Sequence, residues 1–376
     1  MQIPFNKPYL TGKETYYIQK AVKSGKISGN GLYTKKCQEF FVQRYGFQKA
    51  LMTTSCTDAL EMCAILLNIQ PGDEVIVPSY TFVSTANAFV LRGAKIIFAD
   101  SCVNNPNIDT TSIESLITPR TKAIVAVHYG GVACEMDELL LLSDKHHISL
   151  IEDAAQAIES FYKDQPLGSF GKLSAFSFHE TKNIISGEGG LLAINDSLYN
   201  KRAEIIWEKG TNRAEFARGE ANKYGWVDIG SSFLPSEITS AFLYAQLEKL
   251  HKIQAKRNAL WLRYYINLLP LEQKGVVKLP YIPDYAANNG HLFYILCGSA
   301  EVRARLISFL RSKDILSVFH YLSLHKSPFY KEKHDGRELK NSDYFTDHLL
   351  RLPLFYELKP SQVDYICESI FSFFKQ

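Results

Sequence analysis

Three short segments of this chain carry residue types that could do chemistry together. The first, Thr53-Thr54-Ser55-Cys56-Thr57-Asp58-Ala59-Leu60, reads as the opening of a helix. Small and hydroxylated residues at a helix start offer free backbone N–H groups and the positive end of the dipole to an anion. An ordinary N-cap has the same look. The second, Ile151-Glu152-Asp153-Ala154-Ala155-Gln156, closes an apolar run. A carboxylate there could be a metal ligand, a base, a ribose anchor, a partner for a cationic ring or a helix cap. The third, Ser177-Phe178-His179-Glu180-Thr181-Lys182-Asn183, is followed by Gly187-Glu188-Gly189-Gly190. A lone loop lysine is as a rule solvated surface. Lys182, however, lies between apolar runs and beside a Gly-rich turn, 182 − 153 = 29 residues after Asp153. Partial desolvation would lower its pKa and free an amine to attack an aldehyde.

Read as one device, the parts are a phosphate-binding helix start, a carboxylate for a protonated pyridine nitrogen, and a Schiff-base lysine. That is the protein's share of pyridoxal 5′-phosphate (PLP) chemistry. The elements that must position them follow from the hydrophobic pattern. Glu74 to Pro78, Ala94 to Asp100, Ala123 to His128 and Ile148 to Asp153 read as buried strands, with helical patterns at Thr57 to Leu67 and Glu135 to His146 between them. Strands alternating with helices predict a mostly parallel sheet covered on both faces, with ligands beyond the strands' carboxyl ends. Leu191 to Ile194 is a further strand, then a helix from about Leu198. Ser236 to Leu250 predicts a helix whose buried face carries Ile238, Ala241, Phe242 and Ala245. It continues, after an irregularity, into Ala255 to Leu268. Leu292 to Leu296 (strand), Glu301 to Ser312 (helix) and Gln362 to Phe374 (helix) complete an α/β chain. Its expected domains are a large PLP-binding unit, residues 1–250, and a smaller α+β unit, residues 251–376. The charged, weakly periodic stretch from Ser327 to Tyr344 reads as a surface loop.

Composition narrows the partners. Lys plus Arg minus Asp plus Glu gives 42 − 39 = +3, and 46% of residues are hydrophobic. So small a balance leaves no electrostatic footprint for nucleic acid or an anionic membrane. The seven cysteines form no CxxC pair, which argues against a disulfide framework or zinc ribbon and for a reducing cytoplasm. Met1-Gln2-Ile3-Pro4-Phe5 lacks the apolar run of a signal peptide, and no segment approaches a membrane span. His146-His147 has no carboxylate or cysteine partner in sequence, so no metal is expected.

At the residues quoted above the chain resembles the DegT-type sugar-nucleotide aminotransferases, PLP enzymes of fold type I. The match runs from Pro4-Phe5-Asn6-Lys7-Pro8 to the last helix. A closer similarity, to members that aminate a dTDP-linked 4-keto-6-deoxy sugar, is carried by several phrases. They are Pro78 to Asn87 (Pro-Ser-Tyr-Thr-Phe-Val-Ser-Thr-Ala-Asn), His128-Tyr129, Val132 to Asp137, Glu208 to Arg213 and Phe319-His320-Tyr321.

The resemblance implies roles. Lys182 would form the Schiff base and later shuttle the proton, Asp153 would hold the pyridine nitrogen, and Gln156 would reach the ring hydroxyl. Cys56 and Thr57 would bind the phosphate through the helix start, helped by Ser177. Phe82 would stack on the cofactor ring, with His179 beside it. His320, Tyr321, His325 and the Thr211-Asn212-Arg213 turn are candidates to meet the sugar nucleotide, and the Arg213 fork could pair with a diphosphate or with the donor carboxylate. L-Glutamate would be the donor, C4 of dTDP-4-keto-6-deoxy-D-glucose the acceptor and the 4-amino-4,6-dideoxygalactose nucleotide the product. A gluco epimer, a 3-amino sugar, a PLP-dependent sugar dehydratase and a non-catalytic PLP-binding regulator are the alternatives. Dehydratases of the family carry His at the lysine position, and the chain has no evident helix-turn-helix signature. A homodimer with shared sites is implied. One stretch departs from the family. In Gly230-Ser231-Ser232-Phe233-Leu234, Ser232 stands where a phosphate-binding Asn from the neighbouring subunit is usual, and Leu234 where a basic residue is usual. A hydroxyl can still donate to phosphate; an aliphatic side chain cannot replace a cation.

Overall fold

The computed structural model describes residues 2–375. Its main layer is a seven-stranded sheet. The strands are β1 (Lys49–Thr53), β2 (Glu74–Pro78), β3 (Lys95–Ala99), β4 (Thr121–Val127), β5 (Ser149–Asp153), β6 (Leu173–Ser177) and β7 (Gly190–Ile194). They lie in the order β1-β7-β6-β5-β4-β2-β3. Only β7 runs against its neighbours β1 and β6; the other pairings are parallel. β2, Glu-Val-Ile-Val-Pro, is buried along its whole length, as a strand covered on both faces must be. The five strands of this sheet read from sequence stand within two residues of their expected limits.

One apolar cluster packs on each face of the sheet. Helix α1 (Leu32–Tyr45) covers one face, and α2 (Cys56–Leu66) lies against β6 and β7 on the other. α2 is started by Ser55, whose hydroxyl accepts from the Asp58 N–H. The chain then leaves β2 through Ser79-Tyr80-Thr81-Phe82 into α3 (Val83–Val90), with Phe82 at its cap position.

Farther on, α4 (Glu237–Leu247) and α5 (Leu250–Gln273) are separated by Glu248 and Lys249, so the irregularity expected between Leu250 and Ala255 falls a few residues earlier. The expected buried face of α4 is corrected by the structure. Ala241 and Ala245 are buried, but Ile238 is exposed and Glu237 is buried instead. The reason is a carboxylate aimed at the start of α1. Glu237 accepts from the N–H groups of Gly31 (3.0 Å), Tyr33 (2.7 Å) and Thr34 (3.0 Å). An anion on a helix N-terminus satisfies donors the helix cannot. Turning Glu237 inward turns Ile238 out.

A second sheet carries β8 (Phe293–Leu296), β9 (Val318–Phe319) and β10 (Leu349–Leu352), antiparallel with β10 in the middle. A separate core joins it to α5 and the last helix, and Ile3 enters that core. The stretch from Ser327 to Tyr344 is not a plain surface loop. Helix α6 (Lys340–His348) begins inside it, and Tyr330 and Leu339 are buried in the main core. The Tyr330 hydroxyl accepts from the Ile96 N–H at 2.6 Å and its ring packs edge-on against Phe98. Two anchors in a charged run are too sparse to show as periodicity.

Candidate active site

A cavity of about 530 Å³ opens at the carboxyl ends of β4, β5 and β6. Asp153 closes β5 and Ser177 closes β6, so consecutive parallel strands deliver both to one rim. α2 points its start at the same space. The backbone N–H groups of Cys56 and Thr57 have no acceptor there among the described residues. Gly190 explains how β7 passes so close: a Cβ on it would stand 2.4 Å from the Ser55 backbone. The Gly-rich turn thus serves a close approach rather than flexibility.

Lys182 reaches the cavity from the loop between β6 and β7. Burial pulls its amine below the ordinary lysine range. Asp153 and Cys56 oppose that shift, and Arg351 adds to it. Asp153 is buried and its carboxyl is pushed up by desolvation. It accepts from the Thr85 hydroxyl (2.7 Å) and the Ala155 N–H (3.2 Å), which pull the other way. Cys56, for the same reason of burial, is held as a neutral thiol.

The cavity brings together Cys56, Thr57, Phe82, Asp153, Gln156, Ser177, His179, Lys182, His320 and Tyr321, all expected at the site. Phe82 shows an exposed ring there. Gln156 accepts from the Gly130 N–H (2.7 Å) and donates to the Tyr321 hydroxyl (3.2 Å), which leaves one amide hydrogen without an acceptor among the described residues. His179 pairs with the Thr181 hydroxyl at 2.9 Å. His320 lies within hydrogen-bonding distance of the Tyr129 hydroxyl, 2.9 Å away, and burial holds it well below the usual imidazole range.

Three expected residues do not line the cavity of this single chain. Ser232 is exposed on a strand-like bridge to Glu208. The Arg213 side chain is 67% exposed and faces Glu208 at 3.9 Å. His325 is buried behind the cavity wall, 2.7 Å from the Ser79 hydroxyl and 3.6 Å from Asp343. Sequence reading also missed several lining residues, among them Thr81, Ser84, His291 and Arg351. Arg351 left a signal: a charged residue inside the apolar run Leu349-Leu350-Arg351-Leu352.

PLP suits the residues present. A desolvated amine can meet its aldehyde, and a buried carboxylate in no ion pair among the described residues can meet its ring nitrogen. Free N–H groups at a helix start suit its phosphate, and an exposed phenyl ring suits its π-face. Such a set, at the carboxyl ends of a doubly covered α/β sheet, defines a fold-type-I PLP enzyme.

Known proteins agree. The profile described as the DegT/DnrJ/EryC1/StrS aminotransferase family matches residues 8–371, and the chain belongs to that family. It is 30% identical over 377 residues to the spore coat polysaccharide biosynthesis protein SpsC of Bacillus subtilis (strain 168), covering 98% of this chain and 96% of that one. PseC of Helicobacter pylori, an aminotransferase involved in the biosynthesis of pseudoaminic acid, superposes with a TM-score of 0.91 at 26% identity over 100% of both chains. The putative sugar aminotransferase Spr1654 of Streptococcus pneumoniae superposes in its PLP form with a TM-score of 0.91 at 25% identity, over 99% of this chain and 98% of that one. A PMP form of that protein is known as well. This chain is accordingly a PLP-dependent sugar aminotransferase, using an amino donor and a keto sugar. Among the described residues, no helix is long and apolar enough to cross a membrane.

Proposed function

We propose that this enzyme transfers the amino group of L-glutamate to C4 of dTDP-4-keto-6-deoxy-D-glucose, giving dTDP-4-amino-4,6-dideoxy-D-galactose. The single observation that carries the chemistry is the meeting of Lys182 and Asp153 in one cavity with a helix start. The choice of sugar rests on the phrases Pro78 to Asn87, Glu208 to Arg213 and Phe319-His320-Tyr321. The polysaccharide role of the spore-coat relative supports a product bound for a surface polysaccharide. The enzyme works in the cytoplasm as a homodimer. Ser232 and Arg213, exposed on one chain, act on the partner's cavity.

When bound, PLP supplies an aldehyde that exchanges amines and a cationic ring that accepts the electron pair left on the donor's Cα. The chain's own residues do the rest. Asp153 keeps the ring nitrogen protonated, and Thr85 keeps Asp153 in place. The Cys56 and Thr57 N–H groups, with Ser177, hold the phosphate. Phe82 would cover the ring face, and Gln156 and His179 would border it. Lys182 Nζ takes the proton from the donor's Cα. In the reverse half it delivers a proton to the sugar carbon being aminated. A lysine with a lowered pKa suits both directions, because its amine is neutral more readily when a proton is to be taken and its ammonium releases that proton more readily when one is to be delivered. His320 and Tyr321 shape the sugar end, and His325 holds Ser79 and the wall leading to Phe82. Two half-reactions on one site give ping-pong kinetics.

Incubation with L-glutamate and dTDP-4-keto-6-deoxyglucose, followed by NMR of the ring couplings, tests the reading. The expected product has an axial amine at C4. An equatorial amine or a C3 amine overturns the sugar assignment. A deoxy sugar without nitrogen points to a dehydratase, and no product at all to a regulator.

A further inference from the structure

We infer that Tyr129 is a positioning residue of the reaction: its hydroxyl keeps the hydrogen of His320 on Nε2, so that the imidazole offers a donor to the ketone oxygen that each half-reaction makes or loses. The inference rests on the aminotransferase reading above and not on the identity of the sugar. Tyr129 stands two residues after β4, and His320 directly follows β9. Their side chains meet across 191 residues of sequence, the hydroxyl 2.9 Å from Nδ1. Tyr129 is buried, and its backbone N–H donates to the Asn107 side chain at 2.9 Å. Tyr80, Tyr294 and Tyr321 pack around its ring, so the hydroxyl is held in place from several sides. His320 lines the cavity, and Tyr129 stands behind it.

Hydrogen-bond accounting assigns the tautomer. Burial keeps Tyr129 a neutral phenol with one hydrogen to place. Were the imidazole hydrogen on Nδ1, the phenol's own would have no acceptor in hydrogen-bonding geometry among the described residues. A buried donor left that way is costly. With the phenol donating to Nδ1, the imidazole hydrogen stands on Nε2. Burial, and then the charges of Arg351, Lys182 and His291, hold the ring neutral. The other imidazole lining this cavity is set the opposite way. The Asn183 amide nitrogen donates to the Gln254 side chain (3.1 Å) and the Asn289 carbonyl (3.0 Å), which leaves its oxygen to accept from Nδ1 of His291 at 2.9 Å. The hydrogen of His291 is therefore on Nδ1, and its Nε2 is an acceptor. One wall of the cavity thus carries a donor and an acceptor built from the same residue type.

The chemistry says which of the two a ketone needs. Its oxygen has lone pairs and no hydrogen, so only a donor serves it. Lys182 must reach the carbon that exchanges nitrogen for oxygen, and the ketone oxygen is one bond from that carbon. A donor close enough to feel the Lys182 charge is therefore at the right depth. Tyr321 serves the cofactor end instead, since its hydroxyl takes a hydrogen from Gln156 at 3.2 Å and its ring leans on Phe82. When nitrogen attacks the ketone, the π pair moves onto oxygen, and the oxygen departs as water with the two hydrogens that nitrogen brought. The donor half runs the exchange in reverse, with water adding where nitrogen leaves. Charge on the oxygen is largest in mid-transfer, where a fixed donor contributes most. A neutral imidazole can polarise a carbonyl in this way.

Single-turnover kinetics of the holoenzyme test this, with each half-reaction followed by cofactor absorbance. Tyr129→Phe, which keeps the ring and loses the hydroxyl, slows the limiting rate with L-glutamate by about 10-fold. From the aminated enzyme it slows the limiting rate with 2-oxoglutarate alike, and the substrates' dissociation constants stay as they were. His320→Asn, whose amide reaches only the place of Nδ1, slows both by about 100-fold. His320→Gln puts an amide at the place of Nε2 and recovers part of that loss. Adding Tyr129→Phe to His320→Gln then costs nothing further, because no tautomer is left to fix. Magic-angle-spinning 15N NMR of the histidine-labelled wild type, with His320 assigned by its absence from His320→Gln, finds the hydrogen on Nε2. The inference is overturned by unchanged limiting rates in Tyr129→Phe, by a loss confined to the dissociation constants, or by losses that add in the double variant. A wild-type hydrogen on Nδ1 overturns it too, even if Tyr129→Phe fails to fold. A wild type that shows the Tyr129 effect with L-glutamate yet aminates no dTDP-4-keto sugar sinks the sugar assignment and leaves this inference standing.

Discussion

Glu152 and Asp153 follow one another on β5, and the alternation of a strand sends their side chains to opposite faces of the sheet. Glu152 is fully buried and fully engaged. It accepts from the N–H groups of Gly168 (2.6 Å), Phe170 (2.8 Å) and Gly171 (2.7 Å) and from the Ser174 hydroxyl (3.3 Å). His128 stands 3.0 Å from it. Asp153 is nearly as buried but, among the described residues, accepts only from Thr85 and Ala155, and it lines the cavity. One carboxylate is finished by the fold and the other waits for a ligand. Burial alone therefore does not mark a functional acid; burial with unmet bonding capacity does.

The comparison can be broken or sharpened by substitution. The largest effect is expected on the ligand side. Lys182→Ala retains cofactor by absorbance but loses about 10³-fold or more of transamination, read as amino sugar formed over many turnovers. Borohydride trapping of the wild type followed by peptide mapping should tag Lys182; a tag on another side chain removes the basis of the site.

Asp153→Asn comes next, with kcat lowered about 10²- to 10³-fold, as for other preorganised charges. Its effect on stability should have the opposite sign. Burial holds the folded carboxyl above its unfolded value of 3.8. The native state then binds the proton more tightly, so this group costs stability as pH rises from 3.8 through the folded value. Cofactor-free Asp153→Asn should gain about 1 kcal/mol over cofactor-free wild type at neutral pH. That gain fades as pH falls toward 3.8, and denaturant titrations at two pH values read it. Glu152→Gln should instead lose about 3 kcal/mol by the same titration, because an amide cannot accept from every donor now aimed at Glu152. If both variants lose stability equally, the contrast between the two carboxylates is wrong. The smallest effect belongs to Thr85→Val, which removes one hydrogen bond to Asp153 at nearly constant volume. It should lower kcat about 5-fold, roughly 1 kcal/mol, with KM little changed.

Much of this was readable along the chain because it is local. The apolar runs ending in Asp100, His128 and Asp153 are parallel strands, and of those three residues Asp153 lines the cavity. Ser55 and Asp58 start a helix by contacts three residues apart. The Gly-rich turn after Lys182 permits an approach that any side chain would block. Harder to read were residues whose neighbours are far away in sequence. The inward turn of Glu237 depends on Gly31, Tyr33 and Thr34, some 200 residues earlier. His325, a candidate for the sugar nucleotide, lies 2.7 Å from the hydroxyl of Ser79, 246 residues earlier.

Sequence alone determined which groups could act: a helix start for an anion, a carboxylate at a strand end, an amine in a protected loop. Their chemistry is set by residue type, and their placement by periodicities spanning a few residues. Only the tertiary structure decided which buried groups are satisfied and which are left open. It set Glu152 apart from Asp153. The physical reason is that hydrogen-bond completion in a core is supplied by whatever segment packs alongside, and no local pattern records which segment that will be.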